Sequence, residues 1–181
     1  MLSQRSEISE SARRGIEFHS LMENFDFQLE EFSGYSDEIV EKAKNFLSSK
    51  YGIILKESKD IKREYPFNLN VDGTIFRGRF DLLIMGENPI VIDYKTGQRK
   101  DIYREQLLSY AYAYKRLFGK IPLCVVAYVD LNEFDEYRFS ESDVEKFGNE
   151  IKEIIRKIEN GEFQENKESC EKCPIKSYCK S

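Results

Sequence analysis

The stretch "GRFDLLIMGENPIVIDYKTG", residues 78–97, decides how this chain folds. Two apolar runs, "DLLIM" and "PIVID", flank the turn signal "GEN" at 86–88, the pattern of a β-hairpin. A turn centred on Glu87 sets Asp81 opposite Asp93. Directly opposed residues of antiparallel strands hold their Cβ atoms about 4.5–5.5 Å apart. Asp93 and Lys95 are two residues apart and so share a face of the second strand.

Two carboxylates at that spacing repel unless something positive lies between them. A hard divalent cation such as Mg²⁺ takes oxygen ligands and is often held by one or two carboxylates plus substrate phosphates. Lys95, on the same face, is a compact charge suited to positioning water or neutralising a phosphate. Together these are the parts of metal-assisted phosphodiester hydrolysis. The plainer alternative is an exposed Asp93–Lys95 ion pair. Against it, the apolar runs are nearly continuous, which points to a sheet covered on both faces, where an uncompensated charge is costly.

The rest of the sequence is compatible with that chemistry. At 181 residues, 40% hydrophobic and 34% charged, the chain fits one globular domain. The net charge of −5 argues mildly against a broad nucleic-acid footprint. Local clusters still exist beside the hairpin, "RGR" at 77–79 and "KTGQRK" at 95–100, making Arg79 and Arg99 candidate DNA contacts. No apolar run approaches the ~20 residues of a membrane helix, and no signal-peptide pattern opens the chain. The expectation is a soluble, cytoplasmic protein without membrane contact.

Apolar residues at Phe18, Leu21, Met22 and Phe25 predict a first helix, and a second is expected over about 37–50, ending before Gly52. Strands are expected at Ile61–Leu69, Thr74–Met85 and Pro89–Lys95. Then come a helix over about 101–118 stopped by Gly119, a strand in "IPLCVVAYVDL", another at "EYRF", and a last helix capped by Ser140 or Ser142 running to about Glu159. This order predicts an α/β fold, a mixed sheet flanked by helices. Residues 1–161 form the expected domain, with a helical part to about 52, followed by a Cys-rich tail at 162–181.

"GRFDLL", then "IDYKTG", then a helix bearing "QLLSY", resembles the PD-(D/E)xK nuclease superfamily, more narrowly its RecB-like branch. That branch includes exonucleases of CRISPR adaptation and the nuclease domains of AddAB-type recombination complexes. The resemblance implies a restriction-endonuclease-like fold and a Mg²⁺- or Mn²⁺-dependent DNA nuclease, with single-stranded DNA and exonuclease action as the expected substrate and mode. It implies metal ligation by His19, Asp81, Asp93 and the Tyr94 carbonyl. Asp81, Asp93, Lys95 and Glu64 are then the catalytic group, and Gln106 and Tyr110 match a "QxxxY" motif that holds DNA. Read without the resemblance, a lone helical histidine is more often structural, and the face of Gln106, Tyr110, Tyr103 and Tyr114 is equally a packing face. Glu23, at i+4 from His19, is a candidate to orient the ring.

The tail reads "SCEKCPIKSYCKS", with Cys170, Cys173 and Cys179 spaced as intracellular metal thiolates are. Similar triplets in the RecB-like branch hold an iron–sulfur cluster with a fourth, N-terminal cysteine. Here no cysteine precedes Cys124, which reads better as a buried apolar residue. A cluster with another ligand, a three-iron cluster, zinc, a disulfide or an empty site all stay open. Two rival functions stand beside the nuclease. One is a non-catalytic DNA- or partner-binding module on the same scaffold. The other is a nuclease active only with a helicase or integrase, in DNA repair, CRISPR adaptation or viral genome processing.

Overall fold

A computed structural model of the chain describes residues 9–26, 32–100 and 102–162. The cysteine triplet of the tail lies outside them. Five helices and five strands are present among the described residues: α1 (Glu10–Asn24), α2 (Asp37–Ser48), α3 (Lys50–Glu57), β1 (Ile61–Val71), β2 (Thr74–Ile84), β3 (Ile90–Lys95), α4 (Tyr103–Phe118), β4 (Leu123–Tyr128), β5 (Glu133–Tyr137) and α5 (Glu141–Glu159). The strands form one sheet in chain order. The β1–β2, β2–β3 and β4–β5 pairs are antiparallel. Between β3 and β4 the pairing is parallel, which demands a long crossover, and α4 is that crossover.

Helices cover both faces. Phe18, Leu21, Ile39, Phe46, Tyr51 and Leu55 of α1–α3 pack on Leu82, Ile92, Tyr94 and Val125. Leu107, Ala111 and Tyr114 of α4, with Val144 and Ile155 of α5, pack on Phe80, Leu83, Val91 and Val126. The predicted mixed sheet and its continuous apolar strands are therefore present. Cys124 is fully buried and free, as its apolar neighbours suggested.

The hairpin register is also as expected. Leu82 pairs with Ile92, Leu83 with Val91 and Ile84 with Ile90, a turn centred on Glu87. The ladder stops there, although β3 continues to pair with β4 through Lys95. Below that point the β1–β2 arm changes face. Ile61 and Leu82 join the α1–α3 core, whereas Tyr65, Phe67 and Phe80 join the α4–α5 core. Strict alternation would keep Ile61 with Tyr65, and Leu82 with Phe80. In each strand the break falls on an acid, Glu64 in β1 and Asp81 in β2. Glu64 has φ +45°, a left-handed conformation uncommon for a residue with a side chain.

Two expected elements differ. The helix expected over about 37–50 is α2, which ends at Ser48, and an unexpected helix, α3, follows at once with Gly52 inside it. Ser49 makes the junction, its hydroxyl donating to the Phe46 carbonyl at 2.6 Å and accepting the Gly52 N–H at 3.3 Å. The strand expected at "EYRF" begins earlier, at Glu133, because the register to β4 runs from Tyr128–Glu133 to Cys124–Tyr137. Its acids hid the signal, since an edge strand tolerates and even favours charge.

A Cβ at Gly52 would stand 2.4 Å from Leu47 backbone atoms, which have no rotamer by which to yield. Gly52→Ala is expected to destabilise the protein by about 1–3 kcal/mol in chemical denaturation, the usual cost of overpacking. An unchanged midpoint would show that the α2–α3 junction can open.

Candidate active site

The site forms where β2 and β3 part. Once the ladder ends, the Tyr94 N–H has no strand partner on that side, and the Asp81 carboxylate accepts it at 2.9 Å. The same register brings Glu64, Asp81 and Asp93 into one row across three strands. The Tyr94 ring is buried in the α1–α3 core, edge-on to Phe18 and Phe46 with centroids 5.2 Å away in each case. That anchorage fixes its carbonyl at the fork.

Helix α1 delivers His19 from one side. Its Nδ1 lies 3.0 Å from Glu64 Oε1. Its Nε2 lies 3.3 Å from the Tyr94 carbonyl oxygen and 3.7 Å from Asp81 Oδ2. With Nδ1–H donating to Glu64, Nε2 presents a lone pair to two oxygens that are also acceptors. In that tautomer three acceptors face one another, a set that a cation among them would stabilise. Donors at right angles about an ion ~2.1 Å away stand ~3 Å apart, close to these separations. Two oxygens and an imidazole nitrogen suit Mg²⁺ or Mn²⁺, the nitrogen favouring Mn²⁺. His19, Glu64 and Asp81 form a group able to hold a metal ion. Within it, the Glu64 contact through Nδ1 is that of a carboxylate orienting a ligand imidazole. Glu64, not Glu23, occupies the orienting position expected of Glu23.

Asp93 is held from the opposite face, by α4. Gln106 donates to its Oδ1 at 2.9 Å and also to the Tyr110 hydroxyl at 3.0 Å, while Tyr110 donates to the same Oδ1 at 3.4 Å. The two residues expected to hold DNA thus sit on Asp93, and Tyr110 is 8% exposed. Burial, with Asp93 beside it, raises the Tyr110 hydroxyl pKa, so it remains a donor. The other carboxylate oxygen, Oδ2, meets the Lys95 ammonium at 2.5 Å. Asp93 and Lys95 therefore form an ion pair, and a buried one, with Asp93 1% exposed.

The basic residues lie further out. Arg79 is exposed and pairs with Glu64 Oε2 at 2.9 Å, at the mouth of the site. Arg99 pairs with Glu133 and Asp135 and lies over the Tyr128 ring, 5.3 Å from its centroid. A cleft of about 530 Å³ opens on the α1 side, lined by His19, Glu64, Arg79, Tyr94, Lys95 and Glu23, among others.

The sequence profile of the PD-(D/E)XK nuclease superfamily matches residues 2–180. The chain belongs to that superfamily. A solved structure of a candidate exonuclease from Eubacterium rectale shares the fold, with a TM-score of 0.56 and 14% identity over 96% of this chain and 75% of that one. A second solved structure, SSO0001, aligns at a TM-score of 0.42 with 18% identity, covering 92% and 80% of the two chains, too distant to carry an argument. No curated protein matches significantly. The pattern in the PD-(D/E)XK name reads onto Asp93-Tyr94-Lys95, with Asp81 as the earlier acid, preceded here by Phe80 and not by proline.

Burial first, and then the neighbouring Asp93, push the Asp81 carboxyl up to about 7. Burial likewise raises Asp93, against the opposing pull of Lys95. A carboxyl whose folded pKa exceeds its unfolded one binds its proton more tightly when folded. Its contribution is thus full below the unfolded value, near 4, and is lost as pH rises towards 7. In chelator, the Tm of Asp81→Asn relative to wild type is expected to climb by a few degrees between about pH 5 and 7.5, at ~2–4 °C per kcal/mol. A difference that stays constant over that range would contradict the buried, charge-costly setting of Asp81.

Proposed function

We propose that this chain is a Mg²⁺- or Mn²⁺-dependent deoxyribonuclease that hydrolyses phosphodiester bonds. The observation that carries the reading is the convergence of His19 Nε2, Asp81 Oδ2 and the Tyr94 carbonyl beside the Asp93–Lys95 pair. When bound there, the ion would lower the pKa of a coordinated water and neutralise charge on the phosphate. Asp81 and His19 would hold it from the two sides of the fork, with Glu64 keeping the imidazole in the required tautomer. Asp93 completes the acidic wall, its orientation set by Gln106 and Tyr110. Lys95 would leave Asp93 to hold the attacking water or a phosphate oxygen. The water oxygen bonds to phosphorus, the far phosphorus–oxygen bond breaks, and the leaving oxygen acquires a proton.

Single-stranded DNA, cut from an end, is the substrate and mode we favour. Support comes from the branch the motifs resemble and from the exposed Arg79 at the mouth of the cleft. Among the described residues, no helix is long and apolar enough to cross a membrane, in keeping with an enzyme that meets its substrate in solution.

Labelled single- and double-stranded DNA, incubated with Mn²⁺, Mg²⁺ or chelator, tests the proposal. Shortening of the single strand with either metal, and none in chelator, is expected. Folded Lys95→Ala protein should lose about 10²-fold or more of the rate, the scale of a group acting in the transition state. Cleavage that survives chelator, or full activity in Lys95→Ala, would refute the mechanism. DNA binding without cleavage would mark the chain as a binding module.

A further inference from the structure

His19 and Lys95 reach the site from different elements, so something must fix their separation. The chain leaves β3 through Thr96 and Gly97 and runs against α1. The Thr96 hydroxyl donates to the Ser11 carbonyl at 3.3 Å. A Cβ at Gly15 would stand 3.2 Å from Thr96 Oγ1, so the helix backbone is in close contact with this segment. Behind the contact lies Asp130, two residues past the end of β4. Its Oδ2 accepts the Gly97 N–H at 2.7 Å and faces Arg14 of α1 at 3.7 Å. Its Oδ1 meets the Lys42 ammonium of α2 at 2.8 Å. One carboxylate, 16% exposed, thus joins the exit of β3 to α1 and α2. Burial alone would raise its pKa, but the Lys42 ammonium and the Gly97 N–H hold it below the usual carboxylate range, so it stays charged.

The five steps from Arg14 to His19 span about 7.5 Å of helix at 1.5 Å per residue. Gly97 follows Lys95 by two residues. A shift at Asp130 would therefore pass over a short, stiff path to both. At the far end of α1, Arg63 of β1 donates to the Glu23 and Phe25 carbonyls at 3.2 and 2.6 Å, so the helix is held at its other end too. On the side of the β3 exit, Asp130 ties the chain to α1 and α2 alongside the Thr96–Ser11 bond, and it is the charged tie there.

We infer that Asp130 is a positioning residue for the metal half of the site, setting His19 of α1 against the Tyr94–Lys95 end of β3 without touching substrate or metal. The inference rests on the metal reading above. Mn²⁺ uptake by calorimetry, on wild type, Asp130→Asn and Asp130→Ala protein kept well below their melting temperatures, tests it. Asp130→Ala loses all three contacts, and its Mn²⁺ affinity is expected to fall about tenfold or more, the range seen when supporting groups around metal sites are removed. Asp130→Asn keeps an acceptor for Gly97 but loses the charge facing Lys42 and Arg14, and is expected to fall in between. It carries the test if the alanine variant does not fold. A merely structural role would lower Tm and leave the affinity of the folded protein unchanged, and that result overturns the inference while leaving the metal reading intact. Wild-type protein that takes up no Mn²⁺ overturns both.

Discussion

His19 Nε2, Asp81 Oδ2 and the Tyr94 carbonyl oxygen stand within a few ångströms of one another, and much of the molecule is arranged so that they do. With His19 in the tautomer that donates to Glu64, such a cluster is unfavourable alone, since the Tyr94 N–H is the donor Asp81 has and its charge is left without a counter-charge, which costs free energy. The sheet brings it about by ending the β2–β3 ladder one pair before the two aspartates would meet. The freed Tyr94 N–H then becomes the partner of Asp81, and the freed edge becomes the floor of the site.

Each face of the sheet then supplies half of what the acids need. From the α1 side comes an imidazole, backed by Glu64 and held in register by a helix tied down at both ends. From the α4 side come an amide and a phenol that fix one oxygen of Asp93, leaving the other to Lys95. Lys95 is itself steadied by the Tyr103 ring, 5.2 Å from its ammonium. The left-handed backbone at Glu64 belongs to the same design. It marks where the β1–β2 arm changes face, and it turns the Glu64 carboxylate to the His19 ring. Conformations of this kind cost of order 1–3 kcal/mol and persist where surrounding structure enforces them.

The hairpin was legible because a turn signal between two apolar runs fixes a register, and a register fixes which residues oppose. That logic reached Asp81, Asp93 and Lys95; the helical stripe placed a helix around His19, and the family resemblance alone singled that histidine out. It did not reach the roles of Glu64, Gln106 or Tyr110, since their partners come from other elements and are set by packing across the sheet. Glu64 lay in a segment that looks like regular strand, and nothing local announces a left-handed residue there. The Asp93–Lys95 ion pair was legible as a spacing, but its burial follows from α4. Asp130 escaped notice as one acid at the end of an apolar strand. The available cue was its place just past the carboxyl end of β4, next to β3 in the parallel pair, where such sheets gather functional groups.

The central claim is that the fork holds a divalent cation. Crystals soaked in Mn²⁺ and measured for anomalous scattering test it most directly. The account predicts a peak about 2.1 Å from His19 Nε2, an Asp81 carboxylate oxygen and the Tyr94 carbonyl oxygen. A fork free of such a peak at saturating Mn²⁺, with His19 bridging the two oxygens through its own proton, would contradict it.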